Sequence, residues 1–191
     1  CIWSTVGAMH ILMLSDVYFP RVNGVSTSIQ TFRSDLIALG AHVTLIAPDY
    51  GCPPPQGDDD DIVRIKSWAM PFDPEDRVMS WRSAIRWSAQ LRLEDVDIIL
   101  VQTPFLAHYL GVRLARRLGT PIVETYHTYF EHYLHHYLPA VPEAVTKALA
   151  RRFTVSQCHQ VQTVISPSPQ MANALRAYRV RTPIEVLPTG L

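Results

Sequence analysis

Met9–Leu39, MHILMLSDVYFPRVNGVSTSIQTFRSDLIAL, decides the fold. The apolar run from His10 to Ser15 predicts a buried strand, and a loop ending at Asn23-Gly24 follows it. Val25, Ile29, Phe32, Leu36 and Leu39 then recur at helical spacing. The helix is expected to begin just past Gly24, with Ser26 and Thr27 placed to cap its orphan amides. Gly24 would let a ligand approach the backbone, or would be an ordinary loop glycine needing positive φ. The positive end of the helix faces the carboxyl edge of the sheet, where a phosphate would sit.

The rest of the chain repeats this pattern. Gly40 supplies a helix stop, and His42 to Ala47 is a second apolar strand, so strand, helix and strand form a right-handed parallel crossover. Pro48 to Asp61, PDYGCPPPQGDDDD, is a loop by composition; the acids Asp58 to Asp61 lack the spaced ligands of a calcium loop and read as a solvated run. Ile62 to Ile65 is a third strand, followed by a polar and aromatic connection. Arg77 to Arg92, RVMSWRSAIRWSAQLR, is expected to be one helix with Val78, Trp81, Ile85 and Leu91 on a face.

Further on, Asp97 to Gln102, Pro121 to Thr125, Val161 to Ser166 and Ile184 to Leu187 are strands. Between them fall helices after Pro104 (Leu106, Leu110, Leu114, Leu118, then Gly119 as stop), from Pro142 to His159 (Val145, Leu149 and Phe153 inward) and after Pro169. Seven strands alternating with helices predict an α/β fold with an open, doubly wound, mostly parallel sheet. The domain is expected to run from residue 9 to residue 191, with residues 1–8 a leader or a remnant of expression.

Composition excludes several classes. The 191 residues are 48% apolar, and 17 basic residues balance 17 acidic ones, which gives no global signal for nucleic acid. Cys1, Cys52 and Cys158 form neither a paired disulfide framework nor a CxxC site, and no apolar run is long enough to cross a bilayer. A cytoplasmic protein is the expectation. Arg77, Arg82, Arg86 and Arg92 have no acid among them in their segment, so a helix carrying Trp81 with Arg82 and Arg86 could lie against the inner face of an anionic membrane. The ordinary alternative is a packed apolar face with solvated arginines.

The residues able to do chemistry fall just past strand carboxyl ends: Asp16 and Gly24 after the first, Gln102 and Thr103 after the fourth, Tyr126 and His127 after the fifth, Ser166 and Ser168 after the sixth. RVNGVSTS is neither GxGxxG nor GxxxxGK[ST], which argues against nicotinamide cofactors and phosphate-loop nucleotidases. The GxSxG elbow and the HExxH motif are missing from the sequence; His132, His135 and His136 have no cysteine partner and are not read as a metal site. No metal and no cofactor are expected.

In order, HILMLSDVYFPRVNGVSTSIQTFRSDLIALGAHVTLIAP, DIILVQTPF, PIVETYHTYFE, VISPSPQMANAL and IEVLPTG resemble the N-terminal, acceptor-side domain of retaining glycosyltransferases of family 4. Bacterial diacylglycerol glucosyltransferases and phosphatidylinositol mannosyltransferases are the similar members. The resemblance implies a Rossmann-like half of a two-domain GT-B architecture and transfer of a hexose from a nucleotide-sugar such as UDP-glucose or GDP-mannose to an acceptor such as a membrane lipid. It also implies a C-terminal donor-binding domain beyond Pro188-Thr189-Gly190, and inactivity without it.

By the same resemblance Gly24 matches a loop glycine whose amides approach the donor diphosphate, with Asn23 standing where a first glycine is common. His127 matches the histidine beside the reacting sugar. From their place at the same edge, Asp16, Gln102, Thr103 and Tyr126 are read as lining the sugar or acceptor side. A sugar-nucleotide epimerase of the same architecture and a non-catalytic lipid-binding module are the alternatives.

Overall fold

A computed structural model describes residues 9–52, 60–70, 76–91, 95–127 and 143–188. Residues 1–8, Asp58 and Asp59, the His132, His135 and His136 group, and Thr189-Gly190 lie outside them. Seven strands form one sheet in the order β3-β2-β1-β6-β7-β8-β9. They are β1 (His10–Leu14), β2 (His42–Pro48), β3 (Ile62–Ile65), β6 (Ile98–Val101), β7 (Ile122–Thr125), β8 (Thr163–Ser166) and β9 (Ile184–Val186). The pairings with a described register, β1 with β2 and β6, β2 with β3, and β8 with β7 and β9, are parallel. This is the doubly wound α/β sheet the alternation predicts, with each of the seven strands at or within two residues of its expected limits.

The described residues fall into two compact units, one running to Ile122 and the other Val123–Pro188. In the first, helices α1 (Gly24–Ala38) and α3 (Leu106–Leu118) flank nearly solid apolar strands: Leu12, Met13, Leu14, Leu45, Ile46 and Ile99 have essentially no exposed surface. A strand covered on both faces needs apolar residues at consecutive positions, and this produces the uninterrupted runs. Helix α3 ends at Gly119, whose φ of 66° is left-handed, and Gly40 (φ 93°) follows the end of α1, so both expected stops hold. Gly111 sets how closely α3 lies on the sheet. A Cβ there would stand 2.6 Å from Val101 Cγ2 and 3.1 Å from Leu14 Cδ1.

Helix α1 departs from its apolar pattern. Ser26, Ser28, Ile29 and Arg33 are its buried positions, Val25, Phe32 and Leu36 are half-buried, and Leu39 lies beyond the helix with 85% of its surface exposed. Small serines occupy the inner face of the first turns. Arg33 reaches the neighbouring strand, donating from Nη2 to the Val43 carbonyl at 3.4 Å.

The segment expected as one helix from Arg77 is two elements. Arg77–Met79 is strand β5, paired antiparallel with β4 (Ser67–Ala69) so that Trp68 stands opposite Val78. The Ser80 side chain then accepts the Ser83 amide (3.2 Å) and starts helix α2 (Trp81–Ser88). Three-residue strands leave too short a pattern to read, and Val78, three residues before Trp81, continues the helical spacing by coincidence.

The second unit holds α4 (Glu143–Cys158) and α5 (Pro169–Ala177). The expected inward face of α4 is displaced by one residue: Val145 and Leu149 are exposed, while Thr146, Ala150, Thr154 and Cys158, four apart, are buried. The displacement has a polar cause, since Thr154 Oγ1 bonds the buried Tyr126 hydroxyl at 3.1 Å.

Gly111→Ala is expected to destabilise the chain by about 1–3 kcal/mol in urea melts, through overpacking against Val101. Gly24→Ala, whose Cβ would meet nothing within 4 Å, should stay within about 0.5 kcal/mol of the parent.

Candidate active site

Strand order reverses between β1 and β6: chain leaving β1 crosses toward β2, and chain leaving β6 crosses the other way. Two helix N-termini therefore open at the carboxyl ends of adjacent strands, which is where ligands of doubly wound sheets bind. The two ends are treated differently.

Helix α3 starts after Phe105, which supplies no side-chain cap. Its orphan amides are met from the other strand. The Asp16 carboxylate accepts the Ala107 amide at 3.1 and 3.2 Å and the Thr103 hydroxyl at 2.8 Å, while the Asp16 amide donates to Thr103 Oγ1 at 2.7 Å. Thr103 thus uses its single hydroxyl as donor and acceptor at once. Burial pushes Asp16 up to about 6, against the pull of Thr103 and the amides of Ala107, Phe105 and Leu106. Asp16, Thr103 and the buried Gln102 are held together at this edge, with the Gln102 amide donating to the Leu14 carbonyl.

Helix α1 keeps its positive end. Asn23, with extended backbone, is the cap, in place of the expected Ser26 and Thr27: its Oδ1 accepts the Ser26 amide at 2.8 Å, and its carbonyl accepts from the Thr27 amide and hydroxyl, each at 3.0 Å. Gly24 is the first residue of the helix, and no acid lies in the first turn. Among the described residues, hydrogen bonds from the amides of Gly24 and Val25 are absent. Gly24 is not among the described residues with positive φ, which are Gly40, Gly51, Gly119 and Arg179, so neither backbone conformation nor internal packing demands glycine at 24. The loop before it is tied down by the buried Tyr18, with Arg64 Cζ 5.4 Å from its ring centre, and by an Arg21–Asp76 ion pair.

In the second unit, His127 follows β7, partly exposed, and burial pushes its imidazole down to about 4, so it is neutral at pH 7. Tyr126 is buried on Thr154. Ser168 caps α5 by accepting the Met171 amide (3.2 Å), the ordinary role of a serine at a helix start, while Ser166 Oγ donates to the Ser168 carbonyl (2.9 Å) and braces the turn before it. No group of three or more His, Cys, Asp or Glu able to hold a metal occurs among the described residues.

Residues 22–191 match the family model described as Glycosyltransferase Family 4. The chain belongs to that family. It is 34% identical over 186 residues to the alpha-monoglucosyldiacylglycerol synthase of Streptococcus pneumoniae, covering 96% of this chain and 41% of the relative. A GDP-mannose-dependent alpha-mannosyltransferase of Mycobacterium tuberculosis is 30% identical over 126 residues, covering 63% of this chain and 32% of the relative. The chain thus spans under half the length of these curated relatives.

Among solved structures, Anabaena HepE in complex with UDP-glucose aligns with a TM-score of 0.56 at 16% identity, covering 96% of this chain and 44% of that one. A sucrose-phosphate synthase segment from Thermosynechococcus elongatus aligns at 0.58 and 15% identity, covering 95% and 90%. These likenesses carry the fold, a Rossmann-like sheet of the GT-B glycosyltransferases. In this chain, the Asp16 cap is the feature that motif reading misses. TPFLAH gives no sign of it, because Thr103 directly before Pro104 has the look of an ordinary cap, whereas the helix starts at Leu106 after the uncapping Phe105.

Asp16 should leave a pH signature. Its folded value of about 6 exceeds the ordinary 3.8, so the neutral form is favoured by folding; the stability it contributes is full below about pH 3.8 and lost as pH rises through 6. The stability difference between the parent and Asp16→Asn is expected to fall by up to about 3 kcal/mol from pH 4 to pH 7 in urea melts. A difference constant across that window would show Asp16 to be unperturbed.

Proposed function

We propose that this chain is the acceptor-side domain of a retaining hexosyltransferase that takes its sugar from a nucleotide-sugar such as UDP-glucose or GDP-mannose. The observation that carries the reading is the positive end of α1 at the strand-order reversal, capped by the neutral Asn23 with no acid in its first turn, beside an α3 end capped by the Asp16 carboxylate. In such a transfer negative charge builds on the departing diphosphate. Fixed amides at Gly24 and Val25, with Asn23 shaping the turn, would stabilise it without a metal or cofactor.

His127 would orient the sugar or acceptor as a neutral hydrogen-bonding imidazole, since a group that stays uncharged at pH 7 neither repels the developing positive charge on the ring nor serves as a charged acid. Asp16 and Thr103 position the edge by holding α3, with Gln102 buried beside them, and Tyr126, buried in the second unit, would serve the acceptor side. A second domain would supply the donor-binding groups.

The acceptor is proposed to be a membrane lipid and the protein a cytoplasmic one that works at the inner membrane face. The names of the relatives support this, as do the exposed Trp81, Arg82 and Arg86 on α2; no described helix is long and apolar enough to cross a membrane. The named relatives are transferases, which favours transfer over epimerisation.

In the full-length enzyme, His127→Ala is expected to lower transfer at least about 100-fold with an unchanged melting profile. Gly24→Val should do the same by obstructing the diphosphate; near-parental rates in both variants would remove these roles. The 191-residue chain alone should show no sugar transfer, and robust turnover by it would overturn the two-domain reading.

A further inference from the structure

The residue before the first turn of a helix is ordinarily serine, threonine, aspartate or asparagine, whose side chain takes an orphan amide. At α3 that position holds Phe105, which caps nothing. Asp16 does the work from β1 instead, taking the amides of Phe105, Leu106 and Ala107. Position 105 is thereby released from capping, and what stands there is a phenyl ring with 55% of its surface exposed.

Tyr109 follows one turn later, its amide donating to the Phe105 carbonyl at 3.4 Å, and is 47% exposed. Residues four apart share a helix face, so the two rings lie in succession along the outside of α3. The buried His108 meets the Tyr109 ring edge-on, with centroids 5.2 Å apart, and braces its plane. The exposed stripe continues through Arg113 and Arg116. It is aromatic only at the end that opens on the strand-order reversal and basic away from it. At the other helix end on this edge, the exposed Val22 stands directly before the Asn23 cap.

Two aromatic rings held in solvent beside a reacting edge select an apolar ligand portion. The first-turn amides of α3 are spent on Asp16, so this end has little backbone left to hydrogen-bond a polar group. We propose that Phe105 and Tyr109 form a platform for the apolar chain of a lipid acceptor, laid along the start of α3 so that the attacking hydroxyl reaches the strand-order reversal. The proposal rests on the lipid-acceptor reading above and gives the chain behind that hydroxyl a specific seat.

Chain length is the variable that reads such a platform. A methylene taken wholly out of water is worth about fourfold in binding, and one laid on an open ring face about twofold. In the full-length enzyme, kcat/KM is measured with 1,2-diacylglycerols from dibutanoyl to dioctanoyl, below their solubility limits. The parent is compared with Phe105→Ser, Tyr109→Ser and, as a control, Leu39→Ser, which removes an exposed apolar side chain at the far end of α1.

The parent is expected to gain about 15-fold across the series, chiefly in KM, with the same gain in Leu39→Ser and no more than about threefold in Phe105→Ser and Tyr109→Ser. Urea melts of the 191-residue chain should keep the parental midpoint in Phe105→Ser, since Asp16 still holds the amides and serine is itself a capping residue. A full gain retained in both ring variants overturns the platform and leaves transfer to lipid standing. An equal drop at every chain length assigns the rings to contact with another part of the full-length protein and overturns it too. No transfer by the parent to any diacylglycerol overturns the lipid-acceptor reading and the platform with it.

Discussion

Two helix ends open onto the same edge of the sheet, and among the described residues one carboxylate, Asp16, caps either of them. A helix start leaves amide protons without partners and a positive potential, and both have to be met by protein, water or ligand. Asp16 meets those of α3. Because it reaches across from the neighbouring strand, it also fixes where β1 and β6 part, and so the width of the edge on which α1 begins. The α1 end is left to Asn23, a neutral cap that takes one amide and adds no negative charge. A carboxylate in place of Asn23 would satisfy the helix better and repel an anionic ligand.

Much of the fold was legible because its controlling force is simple. Strands covered on both faces must be apolar without interruption, and HILML, VTLIA and IILV could hardly be anything else. Helix faces were harder to read. In α1 and α4 the buried stripes carry Ser26, Ser28, Arg33, Thr146 and Thr154, residues that sequence patterns assign to solvent. Such positions are buried for closeness of approach or for a hydrogen bond, and neither leaves a periodic signature. The pairing of β4 with β5 was invisible for a different reason: it depends on a partner ten residues away and on runs of three.

The candidate site was legible in location but not in division of labour. Placement after strand ends selected Asp16, Thr103, Gly24 and His127 from the sequence. That Asp16 and Thr103 spend their polar atoms on one another and on α3, while Gly24 has nothing in the chain to accommodate, is a matter of distances. Glycine at 24 is better explained by what lies outside the polypeptide than by anything within it. The reverse holds for Gly111, where a single added carbon meets Val101.

The Arg21–Asp76 pair has a consequence for how this family can be recombined. It ties the loop between β1 and α1 to a residue just before β5, far along the chain, so that loop is not a self-contained cassette. A chimaera that exchanged Ser15–Asn23 with a homologue while keeping the resident β4 and β5 would bring in a partner-less end at position 21 or strand Asp76. Crossovers placed inside β1 and after β5 would keep Arg21 and Asp76 together.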